Sequence, residues 1–389
     1  MEKALVILNT NSYILANFIM KKISHFFNSS VYFLDENLDK TTNQIINDIN
    51  KKIDEQKINT CFFQGDYLSL INYTFISKTN FKRKYLFLTD DFDMHEVNSQ
   101  TSLACDGIMT ACPISKLKFN EKNLDASFYI NEGDCDLFKD MKLKKDIDIL
   151  FFGAFKADRN DYLNLIKKEN LNIEIIKPEV KYLPYEKLVE YICRSKVVVN
   201  FSKTGDKNKF YSHKTYPYNY LQYKGRVHMA GMCGTLCVSE YSPAQEIIFG
   251  NDAPTFKTPN QMIDILKSLT SDDDKLKKQT NNFVDKCKRY CDHIYFPKVI
   301  KDLSLSNNRI KFTKLPYWYL RVFFIKSLRL YSNKKNIKNL YKEFFENILC
   351  FFKYSRFTFV FIVLEAIIHL LYLQLKIIKN KLVNYEKKI

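Results

Sequence analysis

Two groups of residues in this chain have types and spacing suited to chemistry. The first is Asp90-Asp91-Phe92-Asp93-Met94-His95. Carboxylates beside an imidazole make a proton acceptor, so Asp91, Asp93 and His95 are the candidate general-base residues. Asp91 and Asp93 also have a D-x-D spacing that can hold a divalent metal, and a capped, solvated turn is the plain alternative. The second group is cationic. Gly153 precedes Lys156 and Arg159, and Lys224 and Arg226 open a segment that closes at Gly234. A phosphate needs cations, helix N-termini and a backbone it can approach closely, which glycine allows. Arg159 facing solvent and Arg226 in a structural ion pair are the alternatives here. A tyrosine-rich stretch, Tyr211 to Tyr223 with His213 and Lys214, either reaches over a ligand or packs as an aromatic loop.

Both groups sit at the ends of apolar runs. Ala4–Leu8, Val31–Leu34, Asn59–Phe63, Tyr85–Leu88 and Gly107–Thr110 read as strands, and segments of helical period separate the earlier ones. Asp90–His95 therefore follows a strand end, where parallel α/β sheets place their sites. A second series begins at Asp146. Its strands are Ile147–Phe152, Ile173–Ile176, Lys196–Phe201 and Thr235–Val238, with helices at Asp161–Lys168 and Pro184–Arg194. Gly234 reads as a left-handed helix cap and Ser242 as the N-cap of a further helix. Two alternating series in a row predict two Rossmann-like units joined near Lys139–Lys145.

Four segments carry a family resemblance. They are Ser127–Phe138, Asp146–Gly153, Ser195–Phe201, and Arg226–Gly234 continuing through Thr235–Glu240. In this order they resemble the GT-B glycosyltransferases, and within them the group typified by the spore-maturation protein CgeB. The resemblance covers roughly residues 1–295. It implies an α/β fold of two Rossmann-like domains whose parallel sheets face a cleft. Residues 1–142 would be the acceptor domain, 143–275 the nucleotide-sugar domain and 276–310 a helix crossing back, with 311–389 left as a basic helical extension. It also implies a donor site of Gly153, Lys156, Arg159, Ser202, Lys224, Arg226, Glu240, Tyr241, Ser242 and Glu246. No cofactor is required beyond the nucleotide-sugar, and a metal is not expected. The D-x-D metal reading belongs to the other glycosyltransferase architecture. Asn9–Ser12 holds the usual acceptor-side position. Many retaining relatives hold the donor ribose with a glutamate of a pair, and the matching positions here are Met229 and Leu221. Neither can accept a hydrogen bond as a carboxylate does. The ribose contact is therefore rebuilt, with Glu240 or Glu246 as the substitute, or it is absent. The second outcome would make the chain a non-catalytic glycan- or nucleotide-binding scaffold.

Charge is unevenly placed. The chain of 389 residues carries +17, yet its last 89 residues hold eighteen Lys and Arg against five Asp and Glu. Aromatic and aliphatic residues interleave with these cations, as in Tyr317-Trp318-Tyr319 and Phe351-Phe352. That mixture suits an anionic membrane surface and disfavours nucleic acid. Phe357–Leu375 is long enough to span a bilayer but carries Glu365 near its centre, a costly residue there. A helix lying on the membrane or packed on a neighbour is the better reading, with His369 as partner for Glu365 and a homo-oligomer contact as the competitor. The expected acceptor is a glycan or a lipid-linked sugar, at the cytoplasmic, inner face of the cell membrane. Ten scattered cysteines without a C-x-x-C pair predict reduced, buried thiols.

Overall fold

The computed structural model describes residues 1–10, 14–65, 70–89, 91–155, 158–177, 183–203, 221–309, 315–333 and 337–355, and most of 360–375. Asp90, Lys156, His369, Asn11, Ser12 and the 211–220 part of the tyrosine-rich stretch lie outside the described residues, as does the side chain of Asp93. The chain divides into two compact units. Unit 1 comprises Met1–Met109, Phe119–Ser127 and Leu303–Ile389, and unit 2 comprises Thr110–Lys118 and Phe128–Asp302.

The first sheet has six strands: β1 (Lys3–Leu8), β2 (Asn28–Phe33), β3 (Thr60–Gln64), β4 (Arg83–Leu88), β5 (Gly107–Thr110) and β6 (Ala126–Phe128). Their order is β2-β1-β3-β4-β5-β6, and β1 runs parallel to both β2 and β3. Ala4–Leu8 are all buried. Such an unbroken apolar run is what a parallel strand covered on both faces requires. The flanking helices are α1 (Ile14–Ser24), α2 (Thr42–Gln56), α3 (Tyr73–Ser77), α4 (His95–Ser102) and α5 (Pro113–Glu121). Helix α2 begins at a capping box formed by Thr41 and Gln44, buries Ile45, Ile46, Ile49 and Ile53, and stops at Lys57 in the left-handed conformation.

The second sheet has five strands: β7 (Ile147–Phe152), β8 (Ile173–Ile176), β9 (Ser195–Asn200), β10 (Leu236–Glu240) and β11 (Thr255–Phe256). Their order is β11-β10-β9-β7-β8, and every adjacent pair is parallel. Its helices are α6 (Arg159–Lys168), α7 (Tyr185–Arg194), α8 (Gly225–Met232), α9 (Pro243–Phe249), α10 (Pro259–Thr270) and α11 (Asp273–Lys288). In each sheet the strand order reverses beside the first strand. In open α/β sheets ligands bind at such switch points, outside the carboxyl ends of the strands.

After α12 (Asp292–Leu305), helices α13 (Tyr317–Asn333) and α14 (Ile337–Ser355) are built into unit 1. The Tyr319 hydroxyl accepts from the Tyr73 N–H at 2.8 Å and lies 2.9 Å from Thr101 Oγ1, all buried. The Tyr331 hydroxyl donates to the Lys40 carbonyl at 2.8 Å. Glu343 accepts from the Thr42 N–H (2.9 Å) and hydroxyl (2.6 Å), so a carboxylate of α14 satisfies an orphan donor at the start of α2. Burial pushes the Glu343 carboxyl up, against the hydrogen bonds from Thr42.

Lys84 is a buried cation in β4, and its Nζ donates to the Ile76 carbonyl at 2.7 Å. Burial, with Arg309 nearby, lowers its pKa to about 8. A depressed lysine penalises the folded state fully below pH 8, and the penalty is relieved as pH rises from about 8 towards the unfolded value of about 10.4. Lys84→Met removes this titration. The melting temperature of the wild type should therefore climb relative to that of Lys84→Met between pH 7.5 and 10. A constant difference over that range would show that Lys84 does not titrate there.

Candidate active site

Gly153 ends β7 with φ +136°, a backbone conformation that side chains disfavour. A Cβ at this position would lie 3.0 to 3.2 Å from the Arg226 guanidinium. The missing side chain is thus what lets Arg226, in the first turn of α8, lie against the carboxyl end of β7. Arg226 keeps partial exposure as a residue, but its Nη1 is sealed from solvent and has no hydrogen-bond partner. A buried, unsatisfied cationic donor is costly unless a ligand completes it. Burial, then the like charge of Arg159, lowers the Arg226 pKa to about 10, which leaves it a cation at neutral pH. The Glu132 carboxylate presses on Gly225, so a Cβ there would collide with it. Lys224 stands at the N-cap of α8 and donates to Gln222 Oε1.

The other cation is held by the fold through both of its terminal nitrogens. Arg159 is buried, not solvent-facing, and donates to the Ala154 carbonyl at 2.9 Å and the Lys203 carbonyl at 2.7 Å. It ties together the loops that leave β7 and β9. Lys203 pairs with Asp158 (2.7 Å) and Glu240 (3.3 Å). Its pKa is raised, because these two carboxylates outweigh the burial that opposes them.

Glu240 is buried, and its Oε2 accepts from the N–H groups of Ser202 and Lys203, both at 3.0 Å. The Ser202 hydroxyl donates to the Glu240 carbonyl at 2.6 Å. These bonds lock the end of β9 to the end of β10. Ser242 caps α9 by accepting from the Gln245 N–H at 3.1 Å. The Tyr241 hydroxyl donates to Glu246 at 2.8 Å on the surface, with Lys257 Nζ 4.6 Å from the Tyr241 ring centre. Met229 is buried in α8, and Leu221 forms an isolated bridge with Lys203. The expected donor residues therefore do two kinds of work. Gly153 and Arg226 leave a donor open at the switch point, while Arg159, Ser202, Glu240 and Ser242 hold the strand ends around it. Beside them, a pocket of about 430 Å³ lies on the β8 side, lined in part by Phe155, Asn160, Asn164 and Lys177. Lys177 Nζ sits 3.7 Å above the Phe155 ring. That volume admits a nucleoside-sized group.

In unit 1, Asp91 and His95 are buried, so the solvated-turn alternative does not hold. His95 Nδ1–H donates to Asp91 Oδ2 at 2.7 Å, and Asn98 Nδ2 donates to Asp91 Oδ1 at 2.8 Å. A proton held on Nδ1 leaves Nε2 as the acceptor, and Nε2 is buried without a partner. The imidazole rests on Phe119 with ring centres 4.5 Å apart. Asn98 was missed from the sequence, although it shares a helix face with His95 and the i+7 spacing from Asp91 contained the signal. At the switch point of the same sheet, the Asn9 N–H donates to Gln64 Oε1 at 2.9 Å. Among the described residues, no three His, Cys, Asp or Glu side chains converge as a metal site.

Residues 135–293 match the sequence profile of a family described as glycosyl transferase-like. No curated protein matches the chain. Sucrose-phosphate synthase from Thermosynechococcus elongatus superposes with a TM-score of 0.53 at 9% identity, over 78% of this chain and 99% of that one. The Anabaena protein HepE, in complex with UDP and glucose, also gives 0.53 at 9% identity, over 78% and 100%. At such identity the likeness establishes the fold, which is GT-B: two Rossmann-like α/β units with parallel sheets.

Gly153→Ala should lower stability by about 1–3 kcal/mol in chemical denaturation, since it adds both a backbone strain and a clash with Arg226. Gly153→Ala combined with Arg226→Ala should fall short of the sum of the single effects, because the clash is then gone. Strict additivity would mean that the two residues are not packed as described.

Proposed function

We propose that this chain is a glycosyltransferase that takes its sugar from a nucleotide-activated donor. The buried Arg226 Nη1, unpartnered against Gly153 at the switch point of the second sheet, carries this reading. A diphosphate placed there supplies the acceptor that Nη1 lacks, and the α8 N-terminus adds its dipole. The charge that grows on the leaving diphosphate as the sugar–oxygen bond breaks is then held by a donor already in position. The cation lies in a water-poor setting, where its pull on that charge is stronger than in bulk water.

The acceptor is a hydroxyl of a glycan or of a lipid-linked sugar, and its proton passes to His95 Nε2. Asp91 holds the imidazole in the required tautomer and stabilises the imidazolium that forms, while Asn98 positions Asp91. The role expected of Glu240 on the donor ribose passes to Glu246, since the Glu240 carboxylate is already taken by Ser202 and Lys203. HepE has been seen with UDP and with UDP-glucose, which makes uridine donors the first to test. Membership of the CgeB-like group and independence from a metal belong to the same proposal.

A thermal-shift series with UDP, GDP, CMP, dTDP and their sugars tests it. One nucleotide should raise the melting temperature by several degrees at saturation, and Arg226→Ala should abolish that shift. His95→Asn should keep the shift but slow nucleotide release from the sugar donor by roughly 10²–10⁴-fold. No response to any nucleotide would sink the donor reading. A shift with neither hydrolysis nor transfer would identify a non-catalytic binding protein, the role favoured by Met229 and Leu221 in place of the glutamate pair.

A further inference from the structure

The outward face of the final helical segment is uncovered among the described residues. Val360, Phe361, Leu364, Ile368, Leu371 and Leu375 are each 53–68% exposed. Their spacing follows the helical period, so they form one stripe. The opposite side is built into unit 1: Leu370 is buried, and Glu365 pairs with Arg321 of α13 through Nε–Oε2 at 2.6 Å and Nε–Oε1 at 2.8 Å. The Tyr317 hydroxyl donates to the same carboxylate at 3.3 Å. The partner expected for Glu365, His369, lies outside the described residues. Arg321 grips both oxygens of the carboxylate, as a guanidinium can. Helix α14 carries a second exposed stripe of Phe345, Leu349 and Phe352, 62–74% exposed. Surfaces normally show single exposed apolar residues, and continuous stripes of this kind mark a contact.

We infer that the exposed apolar stripe of residues 360–375 docks on an anionic lipid bilayer, lying in its surface. Two observations select this occupant. The last 89 residues carry a net +13, complementary to anionic headgroups. Two copies of the chain meeting through this face would bring two such blocks together, at a cost in repulsion. Glu365, the residue that would oppose insertion, is half-buried and its charge is paired with that of Arg321. Among the described residues no helix is long and apolar enough to cross a membrane. The inference concerns a surface far along the chain from the candidate donor residues and does not depend on the sugar-transfer reading.

The test is flotation of the full chain with vesicles of phosphatidylcholine alone and with about 30% phosphatidylserine, at low and high salt. The chain should float with the anionic vesicles, less so at high salt, and remain below with the neutral ones. A Leu364→Glu, Ile368→Glu, Leu371→Glu variant should lose bilayer partitioning by at least about tenfold with an unchanged melting temperature. Substituting solvent-facing positions leaves the core intact, and the melting temperature checks this directly. Failure of the wild type to float with anionic vesicles overturns the inference. So does a wild-type dimer that the triple variant converts to monomer without any change in flotation, since the stripe would then be an interface between copies.

Discussion

The closeness of the Arg226 guanidinium to the backbone at Gly153 is the constraint around which the second unit is arranged. It requires a residue without a side chain, at a backbone angle other residues avoid, at the end of β7. It also requires α8 to start beside that strand end. The surrounding polar bonds meet this demand. Arg159 holds the loops after β7 and β9, and Glu240 binds the β9 end to the β10 end. With Glu240 and the terminal nitrogens of Arg159 engaged in these bonds, Arg226 Nη1 is held in place by neighbours that do not fold over and satisfy it.

The first unit solves a parallel problem differently. Its Asp91–His95 pair is buried and oriented by Asn98, so an imidazole nitrogen is left without a partner in a rigid setting. In both units the polar group left open lies just past a strand end, where the backbone has finished its ladder bonds and helix N-termini begin. That location follows from parallel sheet geometry, in which every strand points the same way and the helices return behind. The C-terminal helices add to the first unit more than bulk. Tyr319, Tyr331 and Glu343 each satisfy a backbone group of the N-terminal segment, so α13 and α14 are integral to the unit.

Much of this was legible in the residues because its causes are local. Alternating apolar runs and helical periods fall close to the observed strands and helices of both sheets, since continuous burial leaves a composition no loop tolerates. The Gly234 cap and the Ser242 cap could be read from residue type alone, because left-handed backbone and N-cap bonding each select few residues. Clustering of Asp91 and His95 on one helical turn was visible for the same reason. So was the basic, aromatic character of the last helices.

Other features depended on where distant segments meet, and sequence spacing carries no such information. Arg159 and Glu240 look like ligand-binding residues in isolation, yet they bond to partners 44 and 38 positions away. Glu365 is gripped by Arg321, 44 residues earlier in the chain. Asn98 and Glu132 acquire their roles only through what they touch. The sequence by itself determined the two α/β sheets, the strand ends that carry polar clusters and the basic helical tail, because periodicity and composition are properties of neighbouring residues. Tertiary structure alone decided which polar groups were consumed by the fold and which, Arg226 Nη1 and His95 Nε2 among them, were left open, because that depends on the pairing of groups brought together from far along the chain.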